Sequence, residues 1–257
     1  MSQFNDNLKD IKIKELAIFI IASFLVLYLL GRFSSGIINE KWIYVLVIFY
    51  FAFKLRDCLG NLKDDFSNVF SKISLKYVLM IVFANIFFSY GMLYLSNALI
   101  INFPALNFLV GFYVPVMSLS TSLPVIGVFI STVVISPISE ELIFRGVLIN
   151  KLKLFTPTIF AVLISSLLFG ALHSYGSIIS AFVFAICMAI LYLKTDNICV
   201  PILAHFLNNL FAEIIKYIDY DKLLFTNDLV MTIVSILAIV SAIILVSSMV
   251  KELNRIK

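Results

Sequence analysis

The sequence predicts an all-α fold, a polytopic membrane bundle of about eight transmembrane helices. Two compositional observations carry this. Of 257 residues, 62% are hydrophobic and 13% charged, whereas a soluble globular chain is nearer half apolar and a quarter charged. Mean hydropathy is +1.08. So much apolar surface cannot be hidden inside one soluble core of this length, and lipid must solvate much of it. The third observation is spacing. Apolar stretches long enough to span, or nearly so, recur at about residues 16–31, 42–55, 77–100, 123–150, 157–173, 177–193, 199–217 and 229–250. The second is short and the fourth long.

Taken in order, the first stretch, Leu16 to Leu30, is long enough for a signal-peptide core. It lacks a small-x-small cleavage site at Leu29-Leu30-Gly31-Arg32, and acidic residues are mixed in ahead of it. A retained first span is expected. No C-terminal Cys-a-a-X box is present, so the chain is not expected to be prenylated itself. Between the third and fourth stretches, residues 101–123 carry no charge and hold Pro104 and Pro115, with Pro124 following; a packed connector on the outer side is expected. With no internal repeat or soluble domain in evidence, residues 1–257 read as a single integral-membrane domain.

Charge gives the orientation. With the N-terminus inside, the cytoplasmic segments hold Lys9, Lys12, Lys14, Lys54, Arg56, Lys63, Lys72, Lys76, Lys151, Lys153, Lys194, Lys251, Arg255 and Lys257. The opposite side holds Arg32, Lys41, Lys216 and Lys222. This positive-inside bias predicts a multi-pass cell-membrane protein with both termini cytoplasmic. The net charge of +4 comes from residues scattered between apolar runs, so it is no nucleic-acid footprint. Cys58, Cys187 and Cys199 are odd in number, lack metal-ligand spacing, and are expected to pack as small apolar groups.

The chemistry lies where charge enters the spans. An ionisable residue at the centre of a spanning helix costs about 2.5–3.5 kcal/mol, so Glu140, Glu141 and Arg145 in the fourth stretch demand a reason. Glu141 and Arg145 are four apart on one helical face, with Glu on the N-terminal side, and form a natural pair. Glu140 points about 100° away and is left for another task. Ser136-Pro137 suggests an N-cap and first turn, hence a break in the fourth span that puts Glu140 in a positive N-terminal turn. The chain's two histidines also lie in apolar runs: Phe169-Gly-Ala-Leu-His173 ends the fifth, and His205-Phe-Leu-Asn-Asn209 lies in the seventh. Each alone is most simply an interhelical hydrogen-bond maker, as are Asn85 and Asn97 in the third. Together, Glu140, His173, His205 and Asn209 supply a base, a second proton-handling group and two hydrogen-bond donors, which is what peptide hydrolysis requires.

These residues carry a resemblance. Glu140-Glu141-x-x-x-Arg145, Phe169-x-x-x-His173 and His205-x-x-x-Asn209, in order on successive helices, resemble the three motifs of the CAAX protease and bacteriocin-processing (CPBP, or Abi) family, which includes the type II CAAX prenyl endopeptidases. The likeness covers about residues 120–215. It implies an eight-helix intramembrane glutamate-type protease acting on a membrane-embedded or membrane-associated peptide or protein. In that scheme Glu140 with His173 activates water, His205 and Asn209 stabilise the oxyanion, and Glu141 with Arg145 shapes the site.

A zinc-dependent version would use Glu140, His173 and His205, since catalytic zinc usually takes three protein ligands. His-Glu-x-x-His is absent, and water activation without a cofactor is the favoured expectation. A serine mechanism lacks its nucleophile turn. A transporter lacks inverted repeats. A non-catalytic immunity or scaffold protein of the same family is the alternative of a different class. Composition rich in Ile, Asn, Lys and Phe suggests a low-GC bacterium, where a bacteriocin, pheromone or similar precursor fits better than a prenylated substrate. One difficulty is geometric. His173 comes some sixteen residues after Pro157 and should approach the outer face, whereas His205 lies early in its span on the cytoplasmic side.

Overall fold

The computed structural model describes residues 3–33, 42–103 and 126–255. The expected connector at 101–123 falls almost entirely outside them. Among the described residues the architecture is helical, without strands. A short amphipathic α1 (Gln3–Asp10) precedes α2 (Ile13–Phe33) and α3 (Trp42–Lys54). A second short helix, α4 (Gly60–Ser67), leads into the long α5 (Leu75–Asn102). Then come α6 (Ile126–Leu152), α7 (Thr158–Ala171), α8 (Ile178–Thr195), α9 (Cys199–Ile218) and α10 (Asp228–Leu253).

Six of these helices, α2, α5, α6, α8, α9 and α10, are long and apolar enough to cross a bilayer. α3 and α7 are apolar but only 13 and 14 residues long. At 1.5 Å per residue they reach about 20 Å, against roughly 30 Å of hydrocarbon. The eight expected stretches are therefore all helical, and two of them are half-length.

α6 departs from expectation. Its backbone does not break at Ser136, whose φ of −64° and ψ of −44° are helical. The Ser136 hydroxyl donates back to the Thr132 carbonyl at 3.3 Å instead of capping forward. The expected cap at Ser136, and with it the N-terminal turn for Glu140, is thus corrected to two π-helical turns. These turns, Ser131–Ile135 and Leu142–Leu148, flank an α-helical Ser136–Glu141. Such bulges are rare and concentrate at functional sites. Proline explains the first. The Ser136 amide donates to Ser131 in the π pattern, and the next donor in that pattern would be residue 137, a proline with no N–H. Near the second bulge, the Asn150 amide donates to the carbonyls of Arg145 and Gly146 and to the Tyr192 hydroxyl.

α5 packs along α10, and α7 packs along α8 as a hairpin. The first pair approaches closely at Gly91, where an added Cβ would lie 2.5 Å from that of Ala238. One end of the bundle is closed by α1, which contacts the Leu142–Leu148 turn and α4. Its Phe4 and Leu8, four apart, are buried. A Cβ on Gly146 would meet Leu8 at 2.5 Å, so a larger residue there would have to push the Leu8 side chain aside. α1 is tied to the α8–α9 turn by Lys9–Asp196 at 2.9 Å and by Asn5 to the Ile198 amide at 3.3 Å. Lys151 donates to the Lys9 carbonyl at 2.6 Å, and Lys194 meets Glu252 at 2.9 Å. Several of the basic residues that sequence placed on one side therefore meet at one end of the bundle. Cys58, Cys187 and Cys199 are free and buried, as packing residues would be.

Candidate active site

The middle of α6 presents the site. Glu141 and Arg145 pair as expected, Nη1 to Oε1 at 3.1 Å, and both are essentially fully buried. Arg145 also donates from Nη2 to the Ala185 carbonyl of α8 at 3.1 Å and lies 4.7 Å over the Phe169 ring. The same Glu141 Oε1 accepts His205 Nδ1–H at 2.7 Å. Glu141 is therefore more than half of an ion pair. It fixes the imidazole of α9 as well, which points Nε2 the other way.

That nitrogen faces Glu140. His205 Nε2 lies 3.9 Å from Glu140 Oε2. This is too long for a hydrogen bond, yet one water at about 2.8 Å from each would touch both. Glu140, unlike its neighbour, keeps an accessible edge, with 16% of its side chain exposed. The Tyr44 phenol lies close enough to it to interact electrostatically. Tyr44 stands on the half-length α3, which packs against Ser136–Glu141. Sequence reasoning missed this residue. A tyrosine in an apolar run is unremarkable, and only the short helix brings it alongside Glu140.

His173 follows the last turn of α7. Its Nδ1–H donates to the Phe169 carbonyl at 2.9 Å, leaving Nε2 without a proton in the neutral ring and so able to accept one. The Phe169 ring lies 4.8 Å from His173 and 6.1 Å from His205, so the two histidines flank one aromatic residue. The two histidines thus approach each other although His173 is exposed beyond the end of α7. α7 stops short of a full crossing, and the start of α9 is itself buried at Ile198, Cys199 and Val200, behind the end closed by α1 and α4. Among the described residues no ion pair joins His173 to Glu140.

Asn209, one turn beyond His205, donates from Nδ2 to the Thr132 carbonyl at 2.9 Å. That carbonyl belongs to the first π turn, at the position where the next backbone donor would be Pro137. Asn209 thus replaces a hydrogen bond that the sequence forbids.

Glu140, His173 and His205, the set zinc would take, do not come together as a metal-ligating group among the described residues.

The motif-bearing stretch has recognisable relatives. The profile of the family described as type II CAAX prenyl endopeptidase Rce1-like matches residues 121–211. Over residues 121–211 the chain is thus similar to the CPBP family. A Bacillus subtilis (strain 168) protein named "Putative membrane peptidase YdiL" is 37% identical to the chain over 84 residues, 32% of this chain and 34% of that protein. The matched part thus spans about a third of the curated relative. No solved structure matches the chain. The CPBP segment runs through α6, α7, α8 and most of α9, and so contains all six motif residues, Glu140, Glu141, Arg145, His173, His205 and Asn209. Tyr44 lies outside it.

Proposed function

We propose that the chain is an intramembrane endopeptidase of the glutamate type, with a membrane-embedded or membrane-associated peptide or protein as substrate. The observation that carries this reading is the sharing of His205 between the two glutamates. Glu141 anchors Nδ1, and Nε2 lies 3.9 Å from Glu140, close enough for one water beside the pair to touch both. Glu140 takes a proton from water as its oxygen bonds to the scissile carbonyl carbon. Charge then develops on the carbonyl oxygen, where His205 Nε2–H and an Asn209 N–H donate to it. For that role His205 is doubly protonated, and two carboxylates, one guanidinium and one imidazolium sum to zero charge. Collapse of the tetrahedral intermediate breaks the C–N bond. The proton passes to the leaving amine from Glu140, with His173 Nε2 as the second carrier. No metal enters these steps.

The setting is a bacterial cell membrane with both termini cytoplasmic, and the substrate is a precursor such as a bacteriocin or pheromone. The likeness to the CPBP family and the Bacillus relative support this, as does the meeting of basic residues at one end of the bundle. The purified chain in lipid vesicles, given quenched fluorescent peptides with and without a farnesylated Cys-a-a-X end, tests the substrate class. The unprenylated peptide is expected to be cleaved at least as well. In stably inserted chains, Glu140→Ala and His173→Ala are expected to abolish Glu140-dependent cleavage. Full biological activity in both variants would contradict the proposal. So would inactivation by chelator with recovery on adding zinc, as regards the metal-free step.

A further inference from the structure

Three asparagines form a chain through the bundle that ends on the site. Asn85 of α5 donates from Nδ2 to Asn208 Oδ1 at 3.0 Å. Asn208 donates from Nδ2 to Asn209 Oδ1 at 3.2 Å. Asn209 donates from Nδ2 to the Thr132 carbonyl at 2.9 Å. The sense of this chain is fixed from one end. A backbone carbonyl only accepts, so Asn209 must present its NH2 to Thr132 and turn Oδ1 towards Asn208. Asn208 must then offer its own NH2 and turn its oxygen to Asn85. The Thr132 carbonyl, which also accepts the Ser136 hydroxyl at 3.3 Å, has no backbone donor five places on because that residue is Pro137. Proline in α6 thereby sets the direction of three amides on two other helices.

We propose that Asn85 and Asn208 are positioning residues for Asn209. Together with the Thr132 carbonyl, they hold its amide in the one orientation that keeps NH2 at the site, with the second N–H left for a substrate oxygen. An amide rotated by 180° would present Oδ1 instead, and an acceptor facing a developing oxyanion repels it. Asn85 is well placed for this. It is 3% exposed, its Oδ1 has no partner, and its burial there is costly unless its donor is used. Neither Asn85 nor Asn208 belongs to the three motifs. Asn85 also lies outside the CPBP segment.

This inference rests on the protease reading and deepens it, and a double-mutant cycle separates the two. The substrate is the unprenylated quenched fluorescent peptide of the vesicle assay, given to purified chain in lipid vesicles. Asn85→Leu, close in shape and without a donor, is expected to lower kcat about tenfold, the factor carried by about 1.4 kcal/mol, with KM unchanged. In an Asn209→Ala background the same substitution is expected to have no further effect. An unaltered kcat in folded Asn85→Leu would overturn the proposal, as would an equal fall in the Asn209→Ala background. If Asn85→Leu does not insert, Asn208→Leu takes its place in the cycle with the same two expectations. Failure of both to insert would assign the pair to holding helices together and would also overturn it. Undiminished cleavage in Glu140→Gln would instead contradict the protease reading.

Discussion

Glu141 is the residue on which the site turns, because one oxygen serves Arg145 and His205 together. Its loss leaves a guanidinium buried and unpaired. Glu141→Leu should therefore cost about 3–5 kcal/mol of stability, read as a lower unfolding midpoint in detergent. Adding Arg145→Met should recover much of that stability and none of the activity, since His205 stays unanchored. Tyr44→Phe tests the opposite case. It removes the phenol oxygen beside Glu140 and should slow cleavage roughly tenfold, the factor carried by about 1.4 kcal/mol of barrier, with a smaller effect on thermal unfolding. At this scale the sequence was informative where spacing alone decides contact. Glu141 and Arg145 are one helical turn apart, so their pairing could be read directly. The bond from His205 to Glu141 crosses 64 positions, and no local periodicity reports on it.

At the scale of elements, the eight apolar stretches were legible because hydropathy marks helix existence well. Their lengths mattered more than expected. The 14-residue α7 ends where Phe169 lies between His173 and His205. The 13-residue α3 delivers Tyr44. The π turns were not legible. Ser136-Pro137 has the composition of a helix start, and the same residues instead sit inside a continuous helix whose pattern shifts around the missing proline N–H. Close helix approach gives a test of the packing. Gly146→Ala would put a Cβ against Leu8 of α1. It should destabilise by about 1–3 kcal/mol, the usual cost of overpacking. Leu8→Ala in the same chain should relieve part of that cost in a thermal melt.

For the whole molecule, the account joins a bundle closed at one end by α1 to a polar site between α6, α7 and α9, braced by α3 and α5. The ties among Lys9, Asp196, Lys151, Lys194 and Glu252 mark the closed end. Under the orientation proposed, a cysteine at Asp10 or Lys251 should react with an impermeant thiol reagent only from the cytoplasmic side. One at Lys222 should react only from outside, and the reverse pattern would overturn the topology. The composition made the membrane setting plain. The substrate stayed illegible because no residue of the site reads out a peptide sequence. Mass spectrometry of membrane-associated peptides, from cells carrying the wild-type chain or an equally abundant Glu140→Gln chain, addresses the central claim most directly. The account predicts an intact precursor that accumulates with Glu140→Gln and paired cleavage products present only with the wild type; identical peptide sets in the two would contradict it.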